Sequence, residues 1–291
     1  MSSLAFSTPV SRAARVFMAL AAVFVATAGI SLYALAEHTD TYFAWTIKPP
    51  ATAAFLGACY LSVTTALLLG LREREWANVR VGVWVVATGL LAILGASLLH
   101  IDKFHLASPV LTAKGWAWSW MFLYVVLVPG LIATLWQQAR TSRGDLPPTA
   151  SLPTAFRFSL RALGVLMLVL GAVLYVEPAT AQTLWPWSLT PLTARMVGSF
   201  YMAFGVSLLI AAHYNDYTRM FVASGAYMVA VVLHGINAVR YPIIDWATPA
   251  GVLFAVVLAA LLVVGAFGVR GYVEVKHCRV GARQLPDQKT N

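Results

Sequence analysis

Residues 185–201 read Trp185-Pro-Trp-Ser-Leu-Thr-Pro-Leu-Thr-Ala-Arg-Met-Val-Gly-Ser-Phe-Tyr201, a tryptophan-rich loop that leads into an apolar helix. A similar stretch occurs earlier as Phe43-Ala-Trp-Thr-Ile-Lys-Pro-Pro-Ala-Thr-Ala-Ala-Phe-Leu-Gly-Ala-Cys-Tyr60. A shift of 141 positions (191 minus 50) aligns identical residues: Pro50 with Pro191, Thr52 with Thr193, Ala53 with Ala194, Gly57 with Gly198 and Tyr60 with Tyr201. The match predicts an internal duplication of the chain.

The composition is that of a membrane protein. Of the 291 residues, 60% are hydrophobic and 11% are charged, and the mean hydropathy is +0.76. Apolar runs of about 20 residues, long enough to span ~30 Å of hydrocarbon, recur along the chain. The sequence therefore predicts an all-α integral membrane protein whose partner is the lipid bilayer. The net charge is +9, and the distribution of the basic residues along the chain is typical of membrane topology rather than of nucleic-acid binding. No nucleic-acid partner is therefore predicted.

Eight transmembrane helices are predicted, with ends defined to about two to four residues. The predicted spans are Val16–Leu35, Ala51–Leu71, Val81–Ile101, Trp116–Gln137, Ser159–Val176, Pro191–Ala212, Met220–Tyr241 and Thr248–Val269. The first span has a rival interpretation as a secretory signal peptide, since Ala34-Leu-Ala36 resembles a cleavage site. We favour a retained helix because the span exceeds the ~7–15 residues of a signal core and has a counterpart in the second half.

The distribution of basic residues predicts the orientation. With the amino terminus inside, all but five of the 20 Lys and Arg residues fall on the inner side; the exceptions are Lys48, Lys103, Lys114, Arg195 and Arg240. Such a bias in short loops places both termini in the cytoplasm and the protein in the cell (inner) membrane. Tryptophans near the predicted helix ends indicate an aromatic belt at the membrane interfaces.

The duplication divides the chain into four segments. Residues 1–139 form a first four-helix repeat, 140–158 a loose cytoplasmic linker, 159–270 a second four-helix repeat, and 271–291 a basic tail. Each repeat has an even number of spans, so both enter the membrane from the same side. The predicted architecture is two parallel repeats related by a pseudo-twofold axis along the membrane normal.

Candidate site residues are the polar groups that membrane burial makes costly. Tyr227, His234 and Asn237 share one face of the predicted seventh helix, which should point into the protein. The other candidates lie near predicted outer helix ends: His100, Glu177, Arg195 and Arg240. Acidic residues end helices in both halves, whereas Arg195 and Arg240 occur only in the second.

Arg195 lies one turn inside the sixth span, just after a predicted Thr190 N-cap and Pro191. A helix amino terminus with a guanidinium favours an anion such as a carboxylate or phosphate. The alternative is a structural role, as an ion pair with Glu177, Glu37 or Asp245 or as snorkelling to the interface. Arg240 has the same alternatives, and snorkelling is favoured there because it lies at the end of its helix.

No cofactor or metal is predicted. His100 and His234 differ by seven residues of register, or about 10 Å of depth, which disfavours a shared haem. A zinc site at His100, Asp102 and His105 lacks the usual His-x-x-x-His spacing. Cys59 and Cys278 form no paired motif.

The leading functional hypothesis is a carrier or binding protein with an outward-facing polar pocket for a small anionic solute or lipid headgroup. Its weakness is that no broken helix occurs at matched places in the two halves. The alternative is a non-transporting accessory or assembly protein that binds a partner. A third is an intramembrane enzyme acting on a lipid-linked substrate, for which we find no catalytic motif.

Overall fold

The computed structural model describes residues 8–141 and 147–284, and the only regular structure in those ranges is helical. Each of eight long helices is long and apolar enough to cross a membrane. They are α1 (Arg12–Ala34), α2 (Pro50–Arg72), α3 (Trp76–Leu99), α4 (Leu111–Thr141), α5 (Thr154–Val176), α6 (Pro191–Tyr214), α7 (Tyr217–Arg240) and α8 (Pro249–Gln284). The prediction of eight helices with the length and composition of membrane spans is confirmed.

Local sequence signals set the limits of α6. The side chain of Thr190 accepts a hydrogen bond from the backbone N–H of Thr193, and Pro191 occupies the first turn, where its missing N–H costs nothing. At the other end, Asn215 adopts the left-handed conformation with φ of 51°, which stops the helix. Asp216 then caps α7, so α6 and α7 are joined by a tight turn.

Two loops contain the tryptophan-rich stretches, and we call this end of the bundle the tryptophan-loop end. Loop 35–49 and loop 177–190 each contain a 3₁₀ turn, then a one-turn helix, then extended backbone. The turns and helices are Ala36–His38 with Thr39–Tyr42 and Pro178–Thr180 with Ala181–Leu184. Such short pieces were not predicted, because a single turn has too few residues for a periodic pattern.

Two helix limits differ from the prediction. Helix α4 begins at Leu111 and continues without interruption through Pro129. Helix α8 extends to Gln284, well past the predicted end at Val269, so the predicted tail is helical as far as it is described. Its extension is charged rather than apolar, and Arg270 pairs with Glu274 at 2.8 Å, one turn along the helix. Residues 285–291 lie outside the described part.

The connection between the halves is attached where it is described. The backbone N–H of Thr149 donates to the Asp216 carboxylate at 2.8 Å, and that of Leu152 donates to the Asn215 side chain at 3.0 Å. These bonds fasten residues 147–153 to the α6–α7 turn. A loose linker was expected; its middle, including Gly144, lies outside the described residues.

Glycines permit the closest helix packing. A Cβ added to Gly198 in α6 would lie 2.6 Å from the carbonyl oxygen of Gly171 in α5. A Cβ added to Gly57 in α2 would lie 2.6 Å from the backbone nitrogen of Tyr33 in α1. The most extensive helix pairs are therefore α1 with α2 and α5 with α6, while α2 with α7 and α3 with α6 join the two halves.

Three tryptophans of the tryptophan-loop end lie in the core. Trp45, Trp185 and Trp187 are 2%, 5% and 8% exposed, so they are not part of a lipid-facing belt. Each packs edge-on against other aromatic rings. Trp118 and Trp246, at 58% and 48% exposure, remain suited to the interface.

Candidate functional site

Arg195 and His100 meet at the tryptophan-loop end, where α6 begins and α3 ends. The Arg195 guanidinium donates through Nη1 to Nε2 of His100 at 2.8 Å. Arg195 is half-buried one turn into α6, and His100 is the residue that follows α3. The pair therefore bridges one of the most extensive contacts between the two halves of the chain.

The contact fixes the protonation state of the imidazole. Nε2 can accept from an arginine only if His100 is neutral and carries its proton on Nδ1. Burial lowers the pKa of His100 below its ordinary value, and the positive charge of Arg195 lowers it further. The Arg195 cation is thus solvated by a neutral ring rather than by a counter-ion.

No carboxylate of the described residues lies within 4.0 Å of Arg195. The acidic residue nearest to His100 in sequence, Asp102, pairs instead with Lys103 at 2.8 Å, and this hydrogen bond lowers the pKa of the Asp102 carboxyl. In addition, Nε of Arg195 is buried without a hydrogen-bond partner in the described structure. The predicted ion pairs of Arg195 with Glu177, Glu37 or Asp245 are not formed.

Arg240 has the structural role that was considered for both arginines. Its guanidinium donates to the backbone oxygen of Tyr33 at 2.7 Å and lies 3.8 Å from the Glu37 carboxylate. The hydroxyl of Tyr241 donates to the same carboxylate at 3.1 Å. Burial and the hydrogen bond to Glu37 raise the pKa of Tyr241. Arg240 therefore links the end of α7 to the end of α1.

His234 and Asn237 form a second, enclosed polar cluster between α7 and α2. The His234 ring stacks on Phe55 with centroids 4.3 Å apart, and its Nε2 lies 3.7 Å from the Cys59 sulfur. Asn237 donates to the backbone oxygen of Ala51 at 3.1 Å. Nδ1 of His234 and Oδ1 of Asn237 are buried and have no partner in the described parts of the chain.

Two further candidates lie apart from these clusters. Tyr227 is 1% exposed and donates to the Ser207 hydroxyl at 2.6 Å, deeper along α7. Glu177 is exposed where α5 ends. The seven predicted residues therefore occupy several places rather than one pocket, and only Arg195 with His100, and His234 with Asn237, are brought together.

Sequence reasoning missed Phe55 and Cys59 as neighbours of His234, and it missed the contact between Arg195 and His100. Each involves residues far apart in the chain, and apolar positions of α2 gave no signal. No group of three or more His, Cys, Asp or Glu side chains in the described ranges could hold a metal ion.

The fold and the composition define an all-helical, multi-pass membrane protein. Comparison with protein-family models, with curated proteins and with solved structures finds no match for this chain. Its function must therefore be argued from its own geometry.

Proposed function

We propose that this protein is a membrane carrier or binding protein that holds a small anion, either a free solute or a lipid headgroup, at Arg195 and His100. The observation that carries the proposal is the Arg195 guanidinium, half-buried and bonded only to a neutral imidazole among the described side chains. A partly desolvated cation without a counter-ion is costly. A bound carboxylate or phosphate would supply the missing charge and accept the unused guanidinium protons.

The surroundings favour an anion as well. The first turn of α6 directs its backbone N–H groups toward the tryptophan-loop end, and the helix dipole adds partial positive charge there. Lys103 lies three residues beyond His100, although it is engaged by Asp102.

The two-repeat architecture is part of the proposal, and matched hydrogen bonds support it. The Tyr33 hydroxyl of α1 donates to the backbone oxygen of Leu233 in α7 at 2.8 Å. The Tyr175 hydroxyl of α5 donates to the backbone oxygen of Ala92 in α3 at 2.9 Å. The acceptors are 141 positions apart (233 minus 92) and the donors 142 (175 minus 33), close to the offset of the sequence repeat.

Helix pairing and loop structure support the same symmetry. Exchanging the repeats converts the α1–α2 contact into α5–α6, and the α2–α7 contact into α6–α3, and all four are extensive. The pairs of short helices in loops 35–49 and 177–190 correspond in the same way. A pseudo-twofold axis along the membrane normal accounts for these matched pairs. The α7–α8 contact departs from the pattern, because it is extensive while its counterpart α3–α4 is small.

The position of the site favours a carrier over a static scaffold. Arg195 and His100 lie across the α3–α6 contact, one of the extensive places where the halves meet. Carriers built from repeats alternate their access by moving one half against the other around such a site. We place the tryptophan-loop end outside the cell, because the arginine-rich helix ends lie at the opposite end of the bundle.

The test compares two arginine variants in purified protein. Arg195→Gln removes the proposed ligand charge, while Arg240→Gln is the matched control, because Arg240 is already paired with Glu37. Thermal unfolding is measured with inorganic phosphate or acetate in micelles, and in nanodiscs of phosphatidylglycerol or phosphatidylcholine. A bound ligand stabilises the folded state in proportion to the logarithm of its concentration.

We expect an anion or the anionic lipid to stabilise the wild type and Arg240→Gln but not Arg195→Gln. An effect of phosphatidylglycerol alone identifies a headgroup, and an effect of a free anion identifies a solute. Stabilisation that survives Arg195→Gln, or none in any condition, contradicts the proposal. Copurification of a stoichiometric protein with the Arg195→Gln variant would favour the accessory role.

A further inference from the structure

A large apolar cleft lies in the first half of the bundle, away from Arg195. It lies between α1, α3 and α4, with residues of α2 and α6 at its base, and its empty space, counted together with its open mouth, is about 790 Å³. None of the described lining residues is charged, and the lining is rich in aromatic rings, including Trp116, Trp120, Tyr124 and Phe200.

The cleft lies within the hydrophobic depth of the bundle. Its α3 wall runs from Val85 to Ile93, in the middle of that helix. Helices α3 and α4 have little contact with each other, so the cleft can be reached sideways from the bilayer between them. Its occupant must therefore be soluble in hydrocarbon.

A few polar groups interrupt this apolar surface, and the hydroxyl of Tyr60 is one of them. Tyr60 is 8% exposed and lines the cleft, and its hydroxyl makes no hydrogen bond within the described ranges. The neighbouring donor, Nε1 of Trp120, is already used by the Ser97 hydroxyl at 3.0 Å. A hydroxyl that faces an apolar cleft without a partner costs free energy, which a ligand with an acceptor would recover.

The depth of Tyr60 restricts what that acceptor can be. Tyr60 is ten residues into α2, about 15 Å from its first residue and so near the middle of a ~30 Å hydrocarbon layer. The ester and phosphate oxygens of a glycerolipid lie at the interface and do not reach this depth. A flat, hydrocarbon-soluble ring with carbonyl oxygens does reach it, and it can pack against the aromatic lining.

We propose that this cleft binds a carbonyl compound of the isoprenoid-quinone type, with the Tyr60 hydroxyl donating to a ring carbonyl. The ring lies among Trp120, Tyr124 and Phe200, and the hydrocarbon tail leaves between α3 and α4 into the bilayer. No electron transfer is part of the proposal. The site is separate from Arg195, so either can fail without the other.

The second half provides a natural control. Tyr201, the counterpart of Tyr60 in the repeat, lines a cavity of only about 280 Å³ between α5, α6 and α8. Trp185 and Phe254 contribute to its walls and pack edge-on against each other, with ring centroids 5.5 Å apart. This smaller cavity lacks room for the same ligand, so Tyr201 should not contribute to binding.

The experiment uses the full chain in nanodiscs and two probes, menadione and methylnaphthalene, which share a ring system and differ in the two carbonyl groups. Binding is followed by quenching of tryptophan fluorescence, since Trp116 and Trp120 line the cleft, with protein-free nanodiscs as the blank. The variants are Tyr60→Phe, Tyr201→Phe and Gly89→Leu. Gly89 lines the cleft, and a Cβ there makes only ordinary contact with Ala203.

We expect saturable binding of menadione that weakens about five-fold in Tyr60→Phe, the loss of one neutral hydrogen bond, and is unchanged in Tyr201→Phe. Gly89→Leu should abolish binding, and methylnaphthalene should bind Tyr60→Phe and the wild type equally. The proposal is overturned if the wild type shows no saturable menadione binding, if Tyr60→Phe equals Tyr201→Phe, or if Gly89→Leu binds normally.

Discussion

Replacing Gly198 by alanine tests the close packing of α5 and α6. The new Cβ would lie 2.6 Å from the Gly171 carbonyl oxygen and 3.1 Å from the Tyr175 backbone nitrogen, against about 3.4 Å for an ordinary contact. The shortfall toward the oxygen is about 0.8 Å (3.4 minus 2.6), and both atoms belong to the backbone of α5. No side-chain rotation can relieve such a clash, so the two helices must move apart.

Overpacking of this kind typically costs about 1–3 kcal/mol. We expect Gly198→Ala to lower the free energy of unfolding by that amount, and Gly57→Ala to do the same, because its Cβ meets the Tyr33 backbone in the equivalent α1–α2 contact. The assay is unfolding in mixed micelles of mild detergent and SDS, followed by near-UV circular dichroism.

Gly235→Ala is the matched control, since a Cβ at this exposed position in the last third of α7 has no atom within 4 Å. It is also a glycine-to-alanine substitution inside a helix, and it should leave the free energy of unfolding unchanged or slightly raised. If Gly198→Ala and Gly57→Ala are as stable as Gly235→Ala, the helices are not packed as closely as described, and the argument from glycine is wrong.

Three other predictions concern charge, symmetry and orientation. Because the pKa of His100 is lowered in the folded protein, the unfolded chain binds a proton at this histidine at a higher pH than the folded chain does. The free energy of unfolding should therefore be at its full value above about pH 6.5 and fall as the pH drops toward the pKa of His100 in the folded protein. The His100→Gln variant should lose this part of the pH dependence. Tyr33→Phe and Tyr175→Phe should each cost about 0.5–1.5 kcal/mol in the same unfolding assay, and unequal losses would weaken the repeat model. In intact cells, an impermeant maleimide should label a cysteine that replaces the exposed Ser188 in a Cys278→Ser protein. In the wild type, the same reagent should label Cys278 only after the membrane has been opened. The opposite labelling pattern would show that the topology is inverted.

The membrane helices were predictable because hydrocarbon imposes one rule on every span. A helix satisfies its own backbone, and about 20 apolar residues are needed to cross, so composition alone locates α1 to α8. The extension of α8 beyond Val269 could not be found in this way. Its last turns are charged, and they are stabilised by local pairs such as Arg270 with Glu274 rather than by lipid.

Sequence periodicity also placed Tyr227, His234 and Asn237 on one face of α7, and the structure buries all three. It could not supply their partners. Phe55 and Cys59 belong to an almost uniformly buried α2, where no position stands out from its neighbours. The tryptophans of the two loops were likewise assigned to the lipid interface because sequence shows the end of a helix but not whether a loop folds inward.

The roles of Arg195 and Arg240 show that sequence also fails to identify the partners of charged residues at a site. Both were known from sequence to be costly cations near helix ends, each with an ion pair as the alternative. Only the three-dimensional arrangement separates them, since Arg240 reaches Glu37 whereas Arg195 reaches the neutral ring of His100. The partner of a charge depends on tertiary contacts between helices that are distant in sequence.

The most direct test of the anion site is equilibrium dialysis of purified protein against radiolabelled inorganic phosphate near neutral pH. We predict saturable binding to the wild type and a loss of affinity of roughly 30-fold or more in Arg195→Gln, the usual consequence of removing one member of a buried charge pair. Phosphate that binds the wild type and Arg195→Gln equally well would contradict the account.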